Sequence, residues 1–266
     1  MEPTFDLEAY LARIGYTGPR EPTAAVLAML HTAHAETIPF ENLDIALGQP
    51  IQLDLASLMT KIVVGKRGGY CYEQNTLFAE VLRLFGFAVE MLAARVRMGP
   101  PRPTPRTHCL LRVTIDGDAW LADVGFGGDG LLEPVPWTLG EDLGSGGIRY
   151  RLEAEGADTV LHAALPNAGW LPLYAIRADD VVLPIDLEVA NWFTSTHPAS
   201  PFVRGVIAQK VGRDERLRLV GKELTIKRGS QQEKIEVTDP EQLLAILREK
   251  FTLDFPAGTR FKGFGA

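Results

Sequence analysis

The chain reads as an α+β protein, on three observations. Apolar residues recur at helical spacing in the first third, alternate with period two in the middle, and do both in the last third. Strands gathered in one block, instead of alternating with helices, argue against a doubly wound sheet. The 266 residues accommodate one large domain or a few small ones. The changes of period divide them into a helical part, 1–86, a stranded part, 87–186, and a mixed part, 187–266.

Asp6 is placed to cap a helix carrying Leu7, Tyr10, Leu11 and Ile14, which Gly15 and Gly18-Pro19 terminate. Thr23 caps a second, through Val26, Leu27 and Leu30, that must end before Pro39. Asp54 caps a third, through Leu58, Met59 and Ile62. A fourth runs from about Cys71 to Phe85, with Leu77, Phe78, Val81 and Leu82 on its apolar face. The alternation from Phe87 predicts strands over 89–96, 107–115, 119–124, 148–154 and 159–164. Segments 216–220, 223–227 and 233–237 read as a meander, and Asp239-Pro240 opens a closing helix.

Composition narrows the function. Apolar residues at 46% and charged residues at 23% are those of a globular protein and exclude a disordered chain. Lys plus Arg is 27 and Asp plus Glu is 34, a net charge of 27 − 34 = −7. Such a chain is a poor candidate for general nucleic-acid binding, which needs a basic surface, while a local basic pocket for a small anion stays open. The longest apolar run, Ala24 to Leu30, is far short of the ~20 residues of a membrane span. Met1 to Asp6 lacks the basic and apolar regions of a leader. Two cysteines, Cys71 and Cys109, fit a reducing compartment without disulfides, so the expected location is the cytoplasm.

One segment points to chemistry: Arg67-Gly68-Gly69-Tyr70-Cys71-Tyr72-Glu73-Gln74-Asn75. The glycines allow a sharp turn, and Cys71 follows at the start of the fourth helix, where free N–H groups and the helix dipole favour a thiolate. The plain alternative is a small buried hydrophobe. A thiolate nucleophile needs a base, and the base an orienting group. His108 precedes a strand pattern that turns at Asp116-Gly117 into Asp118–Gly125, a two-residue hairpin signal. That turn opposes Leu110 to Asp123 and places His108 and Asp123 on one face, ~7–8 Å apart at Cα. Cys109 falls on the opposite face with Leu111, Val113 and Ile115, so it reads as structural.

The remaining histidines carry less. His31 and His34, three apart, read as a solvated helix face without a third metal ligand. His162 lies in a strand, and His197 in a turn. Gly125-Phe126-Gly127-Gly128-Asp129-Gly130 can present successive N–H groups to phosphate oxygens.

Taken together, the Arg67–Asn75 segment, Thr107-His108-Cys109-Leu110-Leu111 and Asp123-Val124-Gly125-Phe126-Gly127 resemble the arylamine N-acetyltransferases. So do Ile38-Pro39-Phe40-Glu41-Asn42-Leu43 and Ser195-Thr196-His197-Pro198-Ala199-Ser200-Pro201-Phe202. The resemblance implies a helical bundle, an antiparallel β-barrel and an α/β region, with a core like that of a cysteine protease. It implies a Cys71–His108–Asp123 triad, an aromatic pocket of Phe40, Phe126 and Phe202, and Gly127 and Gly128 near the coenzyme A pyrophosphate. It implies acetyl-coenzyme A as donor, no metal, and arylamines, arylhydroxylamines or hydrazines as acceptors, through an acetyl-cysteine. Arg67, Glu73, Glu41 and Asn42 read as structural, with Arg67 paired to a carboxylate. Rival readings of the same three residues are an amide synthase acting on a carrier-bound acyl chain, a Cys-His-Asp hydrolase, and a non-catalytic module.

Overall fold

The computed structural model describes residues 5–99, 103–165 and 168–264. Met1 to Thr4, part of the segment read for a leader, lie outside them. The helices are α1 (Leu7–Ile14), α2 (Ala24–Thr37), α3 (Leu43–Ala46), α4 (Leu55–Leu58), α5 (Cys71–Leu84), α6 (Pro184–Thr196), α7 (Pro201–Arg204) and α8 (Pro240–Phe251). Asp6, Thr23, Asp54 and Asp239 accept from backbone N–H groups of the first turns of α1, α2, α4 and α8, as their positions predict. Asp54's helix does not continue as α. Over Met59–Val64 it widens to π turns, and Gly65 N–H bonds Thr60 O.

Among the described residues thirteen strands form two antiparallel sheets. They are β1 (Phe40–Glu41), β2 (Ala88–Val96), β3 (His108–Ile115), β4 (Asp118–Ala122), β5 (Val135–Pro136), β6 (Leu143–Ser145) and β7 (Ile148–Glu155). Then come β8 (Asp158–Leu165), β9 (Gly169–Ile176), β10 (Ile207–Lys210), β11 (Arg216–Val220), β12 (Glu223–Arg228) and β13 (Gln231–Glu236). The larger sheet runs β5-β4-β3-β2-β9-β8-β7-β6, and its edges β5 and β6 approach to nearly close a barrel. The smaller runs β1-β10-β11-β12-β13. The fold is therefore α+β, with a helical N-terminal part and a central barrel.

Alternation sorts β3 between two cores. Leu111, Val113 and Ile115 pack on the helices with Leu77, Phe78 and Val81. Leu110 points into the barrel with Leu92, Tyr150 and Tyr174. A third core joins Ala208, Leu217 and Leu219 to α8. Each of the three buries leucines and aromatics on the order of 2 kcal/mol per side chain. Cys71 belongs to a smaller cluster with Phe40, Tyr70, Tyr72 and Cys109.

The loop before α5 is held by a buried charge cluster. Arg67 places Nη2 2.7 Å from Glu41 Oε1 and 2.9 Å from Asp44 Oδ1. The carboxylates that the sequence left unnamed are therefore Glu41 and Asp44. Lys61, on the widened π segment, reaches Asp44 at 2.7 Å and Glu73 at 2.6 Å. Burial, with Glu41 nearby, still pushes Glu73 up to about 7 against the pull of Lys61. Glu73 Oε2 accepts from Tyr70 N–H at 3.0 Å and so caps α5. Glu41 is wholly buried, so Arg67→Met leaves a carboxylate in the interior without its fork of donors. We expect that variant to lose ~3–5 kcal/mol in urea unfolding; a loss under ~1 kcal/mol contradicts the assignment.

Candidate active site

Cys71 is the first residue of α5, and β3 and the chain after β4 meet it there. The hairpin turns at Asp116-Gly117, both with positive φ, and pairs Leu111 with Ala122 and Ile115 with Asp118. The ladder stops at Ala122, so the expected pairing of Leu110 with Asp123 does not form. The cause is competition. Asn75 inserts its amide where the ladder would continue, donating from Nδ2 to Cys109 O at 2.8 Å and accepting from Val124 N–H at 3.2 Å, while Asp123 N–H, on the opposite edge, bonds His31 Nε2 at 3.0 Å. The shared face survives. His108 Nε2 and Asp123 Oδ2 lie 2.7 Å apart, and both side chains are buried.

Asp123 is saturated with donors. Its Oδ1 accepts from Asn75 Nδ2 and from Gly125 N–H, both at 3.0 Å. Burial alone would raise its pKa, but the charge and hydrogen bond of His108, with Asn75 and Gly125, hold it below the usual carboxylate range. For His108, burial favours the neutral ring, yet the charge and hydrogen bond of Asp123, with the Cys71 sulfur, lift it to about 10; the hydrogen bond resolved at Cys71 Sγ is to Thr107 O, at 3.7 Å. Burial opposes a Cys71 thiolate. Hydrogen bonding from Cys109 and His108, and the charge of His108, overcome this and bring Cys71 down to about 6. Between those values a thiolate–imidazolium pair is the stable form. Cys109 goes the other way, pushed well up by burial and the neighbouring thiolate, and its Sγ donates to Cys71 O at 3.3 Å.

These residues open on a cleft of about 520 Å³ that includes Cys71, His108, Phe40, Phe126, Phe202, Gly127 and Gly128. Its size is that of a small-molecule site. Phe126 and Tyr174 pack against the His108 ring at 5.1 and 4.9 Å, and Phe40 lies 5.9 Å from Phe202. Asn42 sets Phe202 in place, donating to Phe202 O at 2.7 Å and Gly205 O at 2.8 Å. Two glycines are needed here, Gly125 because a Cβ would sit 2.7 Å from Cys71 Cα and Gly127 because its φ is +71°. Among the described residues no group of three or more His, Cys, Asp or Glu is placed to hold a metal ion. No helix among them is long and apolar enough to cross a membrane.

The reading of His31 and His34 as solvated is wrong: both are fully buried. His31 Nδ1–H donates to Leu132 O at 2.9 Å while Nε2 accepts from Asp123. His34 accepts from the Tyr10 hydroxyl at 2.7 Å and donates to Gln74 Oε1 at 3.1 Å, and Gln74 Nε2 reaches Gly69 O at 2.6 Å. The helix face they share is a polar wire toward the site. Asn75 was also missed as a site residue, although it lies four residues after Cys71, on the same helix face. Tyr174 and Gln209 gave no sequence signal. His162 is half-buried in β8 and His197 ends α6, so neither enters the cleft.

A sequence model of the N-acetyltransferase family matches residues 23–259. Similar proteins include the arylamine N-acetyltransferase of Mycobacterium tuberculosis, 41% identical over 94% of this chain and 89% of that one. The arylamine N-acetyltransferase / N-hydroxyarylamine O-acetyltransferase of Salmonella typhimurium is 34% identical over 93% and 88%. The structure of Mycobacterium marinum arylamine N-acetyltransferase in complex with CoA superposes with a TM-score of 0.89, at 39% identity over 93% of both chains.

Burial also sets the acid limit. It lowers His31 to about 4 and His34 to about 3. Unfolded, each titrates near 6.5. Their folded forms stay neutral below that, so the unfolded chain binds more protons and stability falls from pH ~6.5 toward 4. His108 adds little slope there, being protonated in both states below ~6, while Glu73, held to about 7 folded against 4.5 unfolded, takes up a proton on folding and offsets about half of the two imidazoles' slope between pH ~6.5 and 4.5. Urea midpoints should therefore fall from pH ~6.5 toward 4, most steeply below ~4.5, and His34→Gln should flatten that fall. A midpoint constant to pH 4.5 contradicts the buried neutral imidazoles.

Proposed function

The chain belongs to the arylamine N-acetyltransferase family and is an acetyltransferase, and from that premise we propose how its residues carry the transfer. The donor is acetyl-coenzyme A, and the acceptors are arylamines, with arylhydroxylamines and hydrazines in the same class. Cys71 is the nucleophile, His108 the acid and base, and Asp123 the group that orients and charges the imidazole.

The thiolate of Cys71 attacks the thioester carbonyl. The carbon–sulfur bond to coenzyme A breaks, and the His108 imidazolium gives its proton to the leaving thiolate. Acetyl-Cys71 and neutral His108 remain. An arylamine nitrogen then attacks the acetyl carbon, His108 takes the amine proton, and the Cys71 thiolate leaves. The two half-reactions make a ping-pong cycle. The single observation that carries this reading is the buried 2.7 Å contact of His108 with Asp123, set beside a sulfur whose pKa is lowered to about 6.

Phe40, Phe126 and Phe202 suit a flat aromatic acceptor, since planar rings bury well against aromatic walls. Gly127 and Gly128 line the cleft, and successive N–H groups of such a loop suit the donor's pyrophosphate. Segments 1–86, 87–186 and 187–266 then contribute the nucleophile, the His108–Asp123 pair and a covering region. Free buried cysteines fit a reducing compartment, and the proposed location is the cytoplasm.

The test is intact-mass spectrometry after incubation with acetyl-coenzyme A and no amine. The wild type should gain one acetyl group and release one thiol, and Cys71→Ala should gain none. Later addition of an arylamine should discharge the adduct. An unmodified wild-type chain with no thiol released contradicts the reading.

A further inference from the structure

One wall of the cleft is the smaller sheet. Its registers set Phe40 opposite Gln209, and Gln209 opposite Arg218. Directly paired residues stand on one face of a sheet, so the three form a row across β1, β10 and β11. All three line the cleft that holds Cys71. The other face of these strands, with Ala208, Leu217 and Leu219, is buried against α8.

Four basic residues share the cleft-side face: Arg216, Arg218, Lys227 and Lys234. Three of them are occupied. Arg216 is buried and tied to the loop, its Nη1 donating to Gly128 O at 2.9 Å and Gly130 O at 2.8 Å, although its Nη2 has no partner among the described residues. Lys227 Nζ lies 2.9 Å from Asp129, and Lys234 Nζ 3.0 Å from Glu223. Arg218 has neither an ion pair nor a hydrogen bond among the described residues, although it is exposed at the cleft. Glu223 lies within its field, but Glu223 is already bonded to Lys234.

A second observation points to the same kind of ligand. Gly127 and Gly128 have φ of +71° and +46°. Among the described residues, the backbone N–H groups of Phe126, Gly127, Gly128 and Asp129 donate no hydrogen bond. Free successive N–H groups make a concavity for anion oxygens. They line the same cleft as Arg218. A chain with net charge −7 thus presents an uncompensated guanidinium and free amide donors on the walls of one pocket.

We infer that Arg218 anchors a phosphate of the coenzyme A donor, facing the N–H groups of the Phe126–Asp129 loop. This rests on the acetyltransferase reading above and adds a residue to it. A planar guanidinium pairs with two phosphate oxygens at once, which neither a lysine nor a neutral side chain reproduces. The contact lies at an exposed position, so salt screens it.

The experiment compares the wild type with Arg218→Gln and Arg218→Lys on two donors. One is acetyl-coenzyme A, and the other is S-acetyl-pantetheine, a thioester with the same acyl group and no phosphate. For Arg218→Gln the KM for acetyl-coenzyme A should rise about tenfold at unchanged kcat, with Arg218→Lys between the two. On S-acetyl-pantetheine, wild type and variants should coincide. Added salt should raise the wild-type KM for acetyl-coenzyme A toward that of Arg218→Gln. An unchanged KM for acetyl-coenzyme A overturns the inference, and so does an equal loss on both donors, which marks a structural role. Calorimetric binding of free coenzyme A to the same proteins reads Arg218 independently of turnover. Binding about tenfold weaker in Arg218→Gln supports the anchor even where no acetyl group is transferred, and equal binding overturns it.

Discussion

The contact between His108 Nε2 and Asp123 Oδ2 puts two groups that want to be charged into an interior that penalises charge. Neither can lose its partner without leaving the other uncompensated. Most of the surrounding structure reads as provision for that pair. Asn75 and Gly125 N–H bond Asp123 Oδ1, Phe126 and Tyr174 pack against the imidazole, and His31 holds the Asp123 backbone. In the proposed chemistry the pair exists so that Cys71 ionises near neutral pH.

That arrangement draws on every part of the fold. The nucleophile candidate starts a helix, its partner starts a strand, and the carboxylate lies just beyond the end of the next strand. Three cores that share few side chains fix the relative placement of those ends. The Arg67–Glu41–Asp44–Lys61–Glu73 cluster and the Tyr10–His34–Gln74 wire hold the Gly68-Gly69 turn from two sides. Of the positions read as structural, Asn42 bonds the cleft residue Phe202 directly, and Arg67, Glu41 and Glu73 hold the turn that precedes Cys71.

Much of this was legible in the sequence, for local reasons. Asp116-Gly117 admits positive φ at both turn residues, and the period of two then carried His108 and Asp123 to one face. Capping residues marked the starts of α1, α2, α4 and α8. What was not legible depends on contacts distant in the chain. The strand pairing expected at Asp123 yields to Asn75, whose amide takes Cys109 O and Val124 N–H, 34 and 49 residues away. A histidine pair at helical spacing looks the same whether it faces water or a buried wire. β9 was missed because Pro172 interrupts its pattern, at a register shift against β8. α6 was missed because Ile185, Val189 and Trp192 face solvent and blur its amphipathic stripe.

In the proposed chemistry Cys71 rests as a thiolate against a protonated His108. The direct measurement is the pH dependence of thiolate absorbance in the ultraviolet, with the rate of iodoacetamide alkylation of Cys71 followed in parallel, in the wild type and in His108→Gln. The expected wild-type midpoint is near 6, and that of His108→Gln is displaced upward toward the ordinary thiol range. A wild-type midpoint already in that ordinary range, or one that His108→Gln leaves in place, contradicts it.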